Sequence, residues 1–554
     1  MGLKISPLYL YQPRTSNQQN ISFKGKINYA RKVQPEKMLS DFSQYNPNIK
    51  NFFSKIISKY KIPVHNPKIQ ERLRSTYTSA QFKELYDFAK SKGTFDYVMN
   101  EKTGLVKTSF IHTEENKLMS DLIWITDTCN NMELVKYKEP QKCTEVFNKI
   151  SEFYAAQQHK FDEAIAEPHK YNWNGLFWAG EQHTGIGHCY IPETKQAHPW
   201  YPKTRLESVG NYLQTAADLI STGLQQGKYK NRYGYRTAAE IPEHVLNAIA
   251  NSTAYLKALH YPTARSCGAW EEQTFVYSLT SDTAIINQGL REILDLMYKE
   301  TTNPEILEFR SKMLTTKHGK VFENKSELEK LLKDGEARIA EHPDVETLPK
   351  INYQVNPSDK GSLARQYDSA MAFMPQTETL IQDNINADSA KKLEILDELA
   401  QNLVRENGAI RYRGDNYLKL NYHQDKETFS QDFEAEWFLV SEFSKAYGAV
   451  AERLLKHLKT EISDLETWKL LETALAKQTE YINRSYARIT PKGMTKANGY
   501  PCPPFKVPEA YEAVIDGEGK IRYVPGAHPL TWAESSLKSA SDLFLKNLKR
   551  YENL

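Results

Sequence analysis

The sequence predicts an all-α fold, with helices paired into a closed α/α toroid and a few short β-hairpins in the loops. Three observations predict it. From about residue 75 onward apolar residues recur at helical spacing almost without interruption. The segments, roughly a dozen over some 470 residues, come at intervals suited to packed pairs. They also lack the self-similarity of about 34 to 45 residues that an α-solenoid carries, which favours the closed arrangement.

Residues 1 to about 70 stand apart. The first 35 contain Lys4, Arg14, Lys24, Lys26, Arg31 and Lys32 but no acidic residue, and show no period. An extended basic arm, 1–70, laid on a helical domain, 71–554, is the expectation. The arm lacks the apolar core of a secretory signal, so a cytoplasmic location is expected. Met1-Gly2-Leu3-Lys4-Ile5-Ser6 fits the myristoylation pattern and the acid-free arm fits a transit peptide, both short signals.

Helical runs are expected at 82–89, 118–134 and 146–161. Val209, Tyr212, Leu213, Ala216, Leu219, Ile220 and Leu224 keep helical spacing, with Gly227 where a C-terminal cap belongs. Val245, Leu246, Ile249, Leu256 and Leu259 form the next run, which must stop by Pro262 because the residue before proline leaves the α region. Thr280-Ser281-Asp282 reads as a cap for 285–297. Further runs lie at 363–374, 393–404, 433–454, 465–482 and 532–548. One hairpin is expected over 513–524, where two β-type runs flank Gly517-Glu518-Gly519.

Composition excludes several functions. The 554 residues carry 72 Lys+Arg against 69 Asp+Glu, a net charge of +3 that gives no electrostatic footprint for nucleic acid. No apolar run approaches the length of a membrane span. The five cysteines are odd in number and lack C-x-x-C spacing, which argues against a disulfide framework and a structural zinc site. Tyrosine supplies 33 residues, but lysine outnumbers arginine 52 to 20, so the surplus reads mostly as compositional drift. Nucleotide, serine-hydrolase and zinc-peptidase signatures are absent. His183, His188 and Cys189 cluster in a glycine-containing segment without a fourth ligand, so neither metal nor cofactor is expected.

The informative segment is Gly268-Ala269-Trp270-Glu271-Glu272-Gln273, in the loop released by Pro262. An indole face beside a carboxyl lowers local polarity and raises its pKa, as a general acid needs. A solvated acidic pair is the bland alternative.

With this segment, two further blocks resemble the glucoamylase-type glycoside hydrolases (family fifteen) and the related N-terminal domains of phosphorylase kinase α and β subunits. One is Gly408-Ala409-Ile410-Arg411-Tyr412 followed by Glu434-Ala435-Glu436-Trp437; the other is Val507-Pro508-Glu509-Ala510-Tyr511, a hairpin, then Ala527-His528-Pro529-Leu530-Thr531-Trp532. The blocks span about 200–550, and the resemblance implies an (α/α)6 barrel. It implies Glu271 as general acid and Glu509 as general base of an inverting, exo-acting hydrolase of α-glucosidic bonds in α-glucans or gluco-oligosaccharides. The two carboxyls would then lie roughly 6.5–9.5 Å apart to admit water. Glu272 and Arg411 would hold sugar hydroxyls, while Trp270, Trp437 and Trp532 would wall the pocket, each also suited to the core. The family's Trp-x-Arg-Asp has only a partial counterpart, with Arg205 in place but Leu206 where aspartate belongs, leaving Glu207 or the 173–188 stretch as substitutes. That departure keeps a second expectation open, a non-hydrolytic carbohydrate-binding regulator of the phosphorylase kinase type. Carbohydrate is the expected partner in either case, and the oligomeric state is not readable.

Overall fold

A helix in water is marginal alone and persists where a neighbour buries its apolar stripe. The computed structural model describes residues 62–109, 122–170, 186–198, 205–225, 233–264, 266–270, 278–344, 346, 367–415, 417–420, 433–460, 465–496, 499–526 and 530–554. All of these lie in the second of the chain's two units, Pro47–Leu554.

Its helices are α1 (Ser79–Ser91), α2 (Ile125–Lys138), α3 (Cys143–Ala156), α4 (Gln158–Ala166), α5 (Leu206–Leu224), α6 (Glu243–Leu259), α7 (Thr280–Tyr298), α8 (Pro304–Thr315), α9 (Lys325–Glu341), α10 (Met374–Thr377), α11 (Ile385–Leu403), α12 (Val440–Thr460), α13 (Leu465–Ala487) and α14 (Thr531–Tyr551). Strands are short: β1 (Ile123–Trp124) pairs with β2 (Cys189–Tyr190), and β3 (Glu436–Trp437), β4 (Ala510–Ile515) and β5 (Ile521–Pro525) form an antiparallel sheet in that order. The fold is all-α with few strands.

The helices pack in a definite sequence. α2 lies on α5, α5 on α7, α7 on α10 and the 3-10 turn Ser369–Phe373 before it, α10 on α12, α12 on α14, and α14 on α2. Side-chain pairs show that neighbours run in the same direction. Thr126 Oγ1 donates to Glu207 near the start of α2 and α5, and Lys136 meets Asp218 towards their ends. Across α12 and α14, Ser536 donates to Glu442 and Arg550 meets Glu452. Glycines let α5 and α7 approach: a Cβ on Gly289 would stand 2.3 Å from the Gly210 carbonyl oxygen. The other helices cover this set, α6 on α3 and α4, α9 on α7, and α13 on both α12 and α14.

Several expectations shift. The run at 146–161 divides at Gln157 into α3 and α4, and the 3-10 turn plus α10 replaces the end of the run expected over 363–374. Residues expected to begin a helix at 433 are extended up to β3, because Glu436 and Trp437 pair with Tyr511 and Ala510. Thr280, Ser281 and Asp282 occupy the first turn of α7 rather than capping it; Leu279 is the N-cap. Helices α8 and α9 were not expected. Asn303 and Asn324 cap them, their side chains accepting from Glu305 N and Glu327 N. The hairpin is present as β4 and β5. Residues 62–70, within the stretch expected as an arm, pack on it: the His65 ring stacks on Tyr511 at 4.3 Å, and the His65 backbone N–H donates to Ala487 O. The rest of that stretch, 1–61, and Gly227 lie outside the described residues.

Candidate active site

The segments leading into the parallel helices converge around Trp437. In β3, Trp437 and Ala409 exchange backbone bonds of 2.7 and 3.1 Å, and Phe438 N donates to Glu509 O at 3.0 Å. Strand pairing thus sets Glu509, at the start of β4, and Arg411, two residues beyond Ala409, beside the tryptophan. The Arg411 guanidinium lies 4.7 Å from the Trp437 ring centre and 5.5 Å from that of Trp270. Asp415 clamps it through Nε and Nη2 at 2.6 and 2.5 Å, the bidentate geometry that suits a planar fork.

Trp270 is itself fixed. Its Nε1 donates to Asp368 Oδ1 at 2.8 Å, and its ring lies 6.2 Å from Trp437. Asp368 Oδ1 also accepts Ala370 N, and Ser369 N donates to Arg411 O at 2.8 Å. One short segment therefore links the Trp270 loop to the Arg411 strand. Glu271 and Glu272, which follow Trp270 directly, lie outside the described residues.

Electrostatics around Glu509 are set by burial. The Glu436 carboxyl is pushed up to about 7 by desolvation, against the bond it accepts from Asn407 N. Lys496 is held below its ordinary range by burial, opposed by Cys502 and by the charges of Glu512 and Glu509. Arg488, fully buried, donates to Asn407 O, to Glu436 O at 3.0 Å and to Pro508 O at 3.0 Å. Those carbonyls immediately precede Gly408, Trp437 and Glu509. Three buried polar atoms here have no partner among the described residues, Trp437 Nε1, Glu434 Oε2 and Arg488 Nε.

Arg205 sits elsewhere in the same layer. It is the N-cap of α5, buried, with its Nε on Glu207, whose Oε1 also accepts from Thr126. Burial, followed by the neighbouring Glu207 charge, raises the Asp282 carboxyl in the first turn of α7. Ser266 Oγ accepts both Leu206 N and Gly268 N, joining this cluster to the Trp270 loop. Trp532 is buried in the first turn of α14, edge-on to Phe438 at 5.3 Å, so it meets the Trp437 segment from the side of the next residue.

The chain is similar in fold to a glycosidase. That structure, a glutamate-to-alanine variant, matches with a TM-score of 0.50 and 12% identity over 86% of this chain and 100% of its own. Two further glycosidase structures, a second glutamate-to-alanine variant in complex with glucose and a tyrosine-to-phenylalanine variant, match at 12% identity over the same shares with TM-scores of 0.48 and 0.49. No family model matches the chain. No curated protein matches it either.

Sequence reasoning missed Asp368, Asp415 and Arg488. The Arg411-x-x-x-Asp415 spacing was a visible signal for one; the others act through contacts distant in sequence.

Proposed function

We propose that residues 71–554 form an (α/α)6 barrel and act as an inverting, exo-acting glycoside hydrolase on α-glucosidic bonds of α-glucans or gluco-oligosaccharides, with Glu271 the general acid and Glu509 the general base. The observation that carries this reading is the Trp270, Trp437 and Arg411 group beside Glu509 at the entrance to the parallel helices. Aromatic faces stack on sugar rings, and the buried Trp437 Nε1 suits a sugar hydroxyl as its acceptor. The cyclic order of helix packing supports the barrel.

In this reading Glu271 protonates the leaving oxygen while Glu509 takes a proton from water on the opposite face of the anomeric carbon, and the configuration inverts. Trp270, anchored by Asp368, presents Glu271 and lowers the polarity around it. Arg411, with two N–H groups given to Asp415, presents a fixed positive edge to sugar hydroxyls. Glu272 would hold a hydroxyl of the bound sugar. The test is glucose release from maltose, isomaltose, trehalose and dextran, with the product anomer followed by NMR. Glu271→Gln and Glu509→Gln should each lower turnover by at least about a hundredfold while leaving the fold intact; full activity in either variant would sink the assignment.

One observation favours a second reading, a carbohydrate-binding regulator without hydrolysis. Arg205 and Glu207, the remnant of the sugar-gripping motif, are buried and paired with each other. Sugar-induced thermal stabilisation with no glucose release from any member of the panel would select this reading.

A further inference from the structure

A cavity of about 1020 Å³ runs between the parallel helices, and each segment of the packing cycle contributes to its wall. Its wall extends along α5 from Asn211 to Gln225 and along α7 from Ile285 to Lys299. At about 1.5 Å per residue, both stretches give a depth of about 21 Å. Lys299 and Glu300, at the C-terminal end of α7, are exposed and mark the mouth. Trp532, Cys129 and Ile285 are buried at the other end. Trp532 packs on Phe438, the chain neighbour of Trp437 in the candidate active site. Trp270, Arg411 and Glu509 do not line it.

The wall is polar, and two of its lysines are already paired with carboxylates. Lys136 is paired with Glu133 and Asp218 at 2.5 Å each, and Lys445 with Glu442 at 2.8 Å. An anion drawn to either lysine would have to break such a pair inside a confined space, at the cost of leaving a partner uncompensated. A neutral ligand bearing many hydroxyls need not. Asn211, Gln214 and Ser539 face the cavity with amide and hydroxyl groups that no described residue takes up, and Trp532 offers an apolar ring surface at the end away from Lys299. The volume is at the upper end of the range of about 300–1,000 Å³ for small-molecule sites.

We infer that this cavity is a second binding site, for a neutral polyhydroxylated molecule such as a short oligosaccharide, entered from the end of the helix set opposite the candidate active site. It stands on the cavity's own geometry and not on the catalytic assignment. The test is titration calorimetry of the full chain with maltotriose, in the Glu509→Gln background so that turnover does not interfere. Ser539→Trp places an indole in open space on α14 without removing any described bond, and circular dichroism checks its fold. Gln214→Leu removes an amide without adding bulk. The expected result is two binding events, of which Ser539→Trp abolishes one and Gln214→Leu weakens the same one at least tenfold. Spermidine and inorganic phosphate should not compete for it. Maltotriose binding that Ser539→Trp removes supports the site whether or not the wild-type chain releases glucose. A single event that this variant leaves unchanged, no binding at all, or competition by either ion overturns it, again irrespective of glucose release.

Discussion

Asp368 holds two donors with one oxygen, the Trp270 indole N–H and the Ala370 backbone N–H, inside a fully packed surrounding. Asp368→Ala should leave the indole donor unpaired, costing about 1–3 kcal/mol locally, and let the loop that carries Glu271 wander. The expected outcome is a fall in kcat larger than any rise in KM, with a shift in tryptophan emission; Asp368→Asn, which keeps an oxygen acceptor, should restore most of both. Unchanged emission and kcat in the alanine variant would show that the loop is held by other means. Arg488 has the matching role for Glu509. Its guanidinium gathers the carbonyls of Asn407, Glu436 and Pro508. Arg488→Met should destabilise the chain by about 3 kcal/mol in denaturant titration, since buried carbonyls lose a charged donor, and Arg488→Lys, with a single ammonium for the three, should fall between. Neither residue was legible in the sequence, because their partners lie far away along the chain.

Among the elements, α5 and α7 pack closely, and glycine makes that possible. A methyl on Gly289 would meet the Gly210 carbonyl oxygen at 2.3 Å, and one on Gly210 would meet Ile286 Cα at 2.9 Å, both backbone atoms that cannot step aside cheaply. Gly289→Ala should therefore destabilise by about 3 kcal/mol although alanine is the better helix former, a reversal that thermal or chemical unfolding would reveal. Periodicity found most helices, including α5, α7, α12 and α14, because their apolar stripes are long and regular. It overran the start of α12, where β3 pairs with β4 across more than seventy residues of chain. It passed over α9, whose run Lys325–Glu341 is dominated by charge, although Asn324 ahead of it was a usable cap signal.

For the molecule as a whole, the cycle of parallel helices brings their N-terminal turns to one end, where α2, α5, α7, α12 and α14 each carry a buried acidic residue: Asp127, Glu207, Asp282, Glu442 and Glu534. Helix dipoles favour carboxylates there, but burial opposes ionisation. Burial prevails at Glu534, pushed up to about 8 despite Lys506 beside it. A carboxyl whose folded pKa is raised binds its proton more tightly when folded, so stability falls as pH rises from about 4.5 to about 8 and levels off above. Glu534→Gln should flatten that decline, seen as unfolding midpoints that converge with wild type at low pH and separate in the variant's favour on the alkaline side; parallel curves would refute it. The sequence by itself determined the all-α class, most helix positions, the hairpin and the pairing of tryptophans with carboxylates in short motifs, since each of these is written in neighbours along the chain. Only the tertiary structure decided that Arg411 is clamped by Asp415 between Trp270 and Trp437, that Arg205 is spent on Glu207, and that the helices enclose a polar cavity, because these depend on which faces meet once distant segments have been buried against one another.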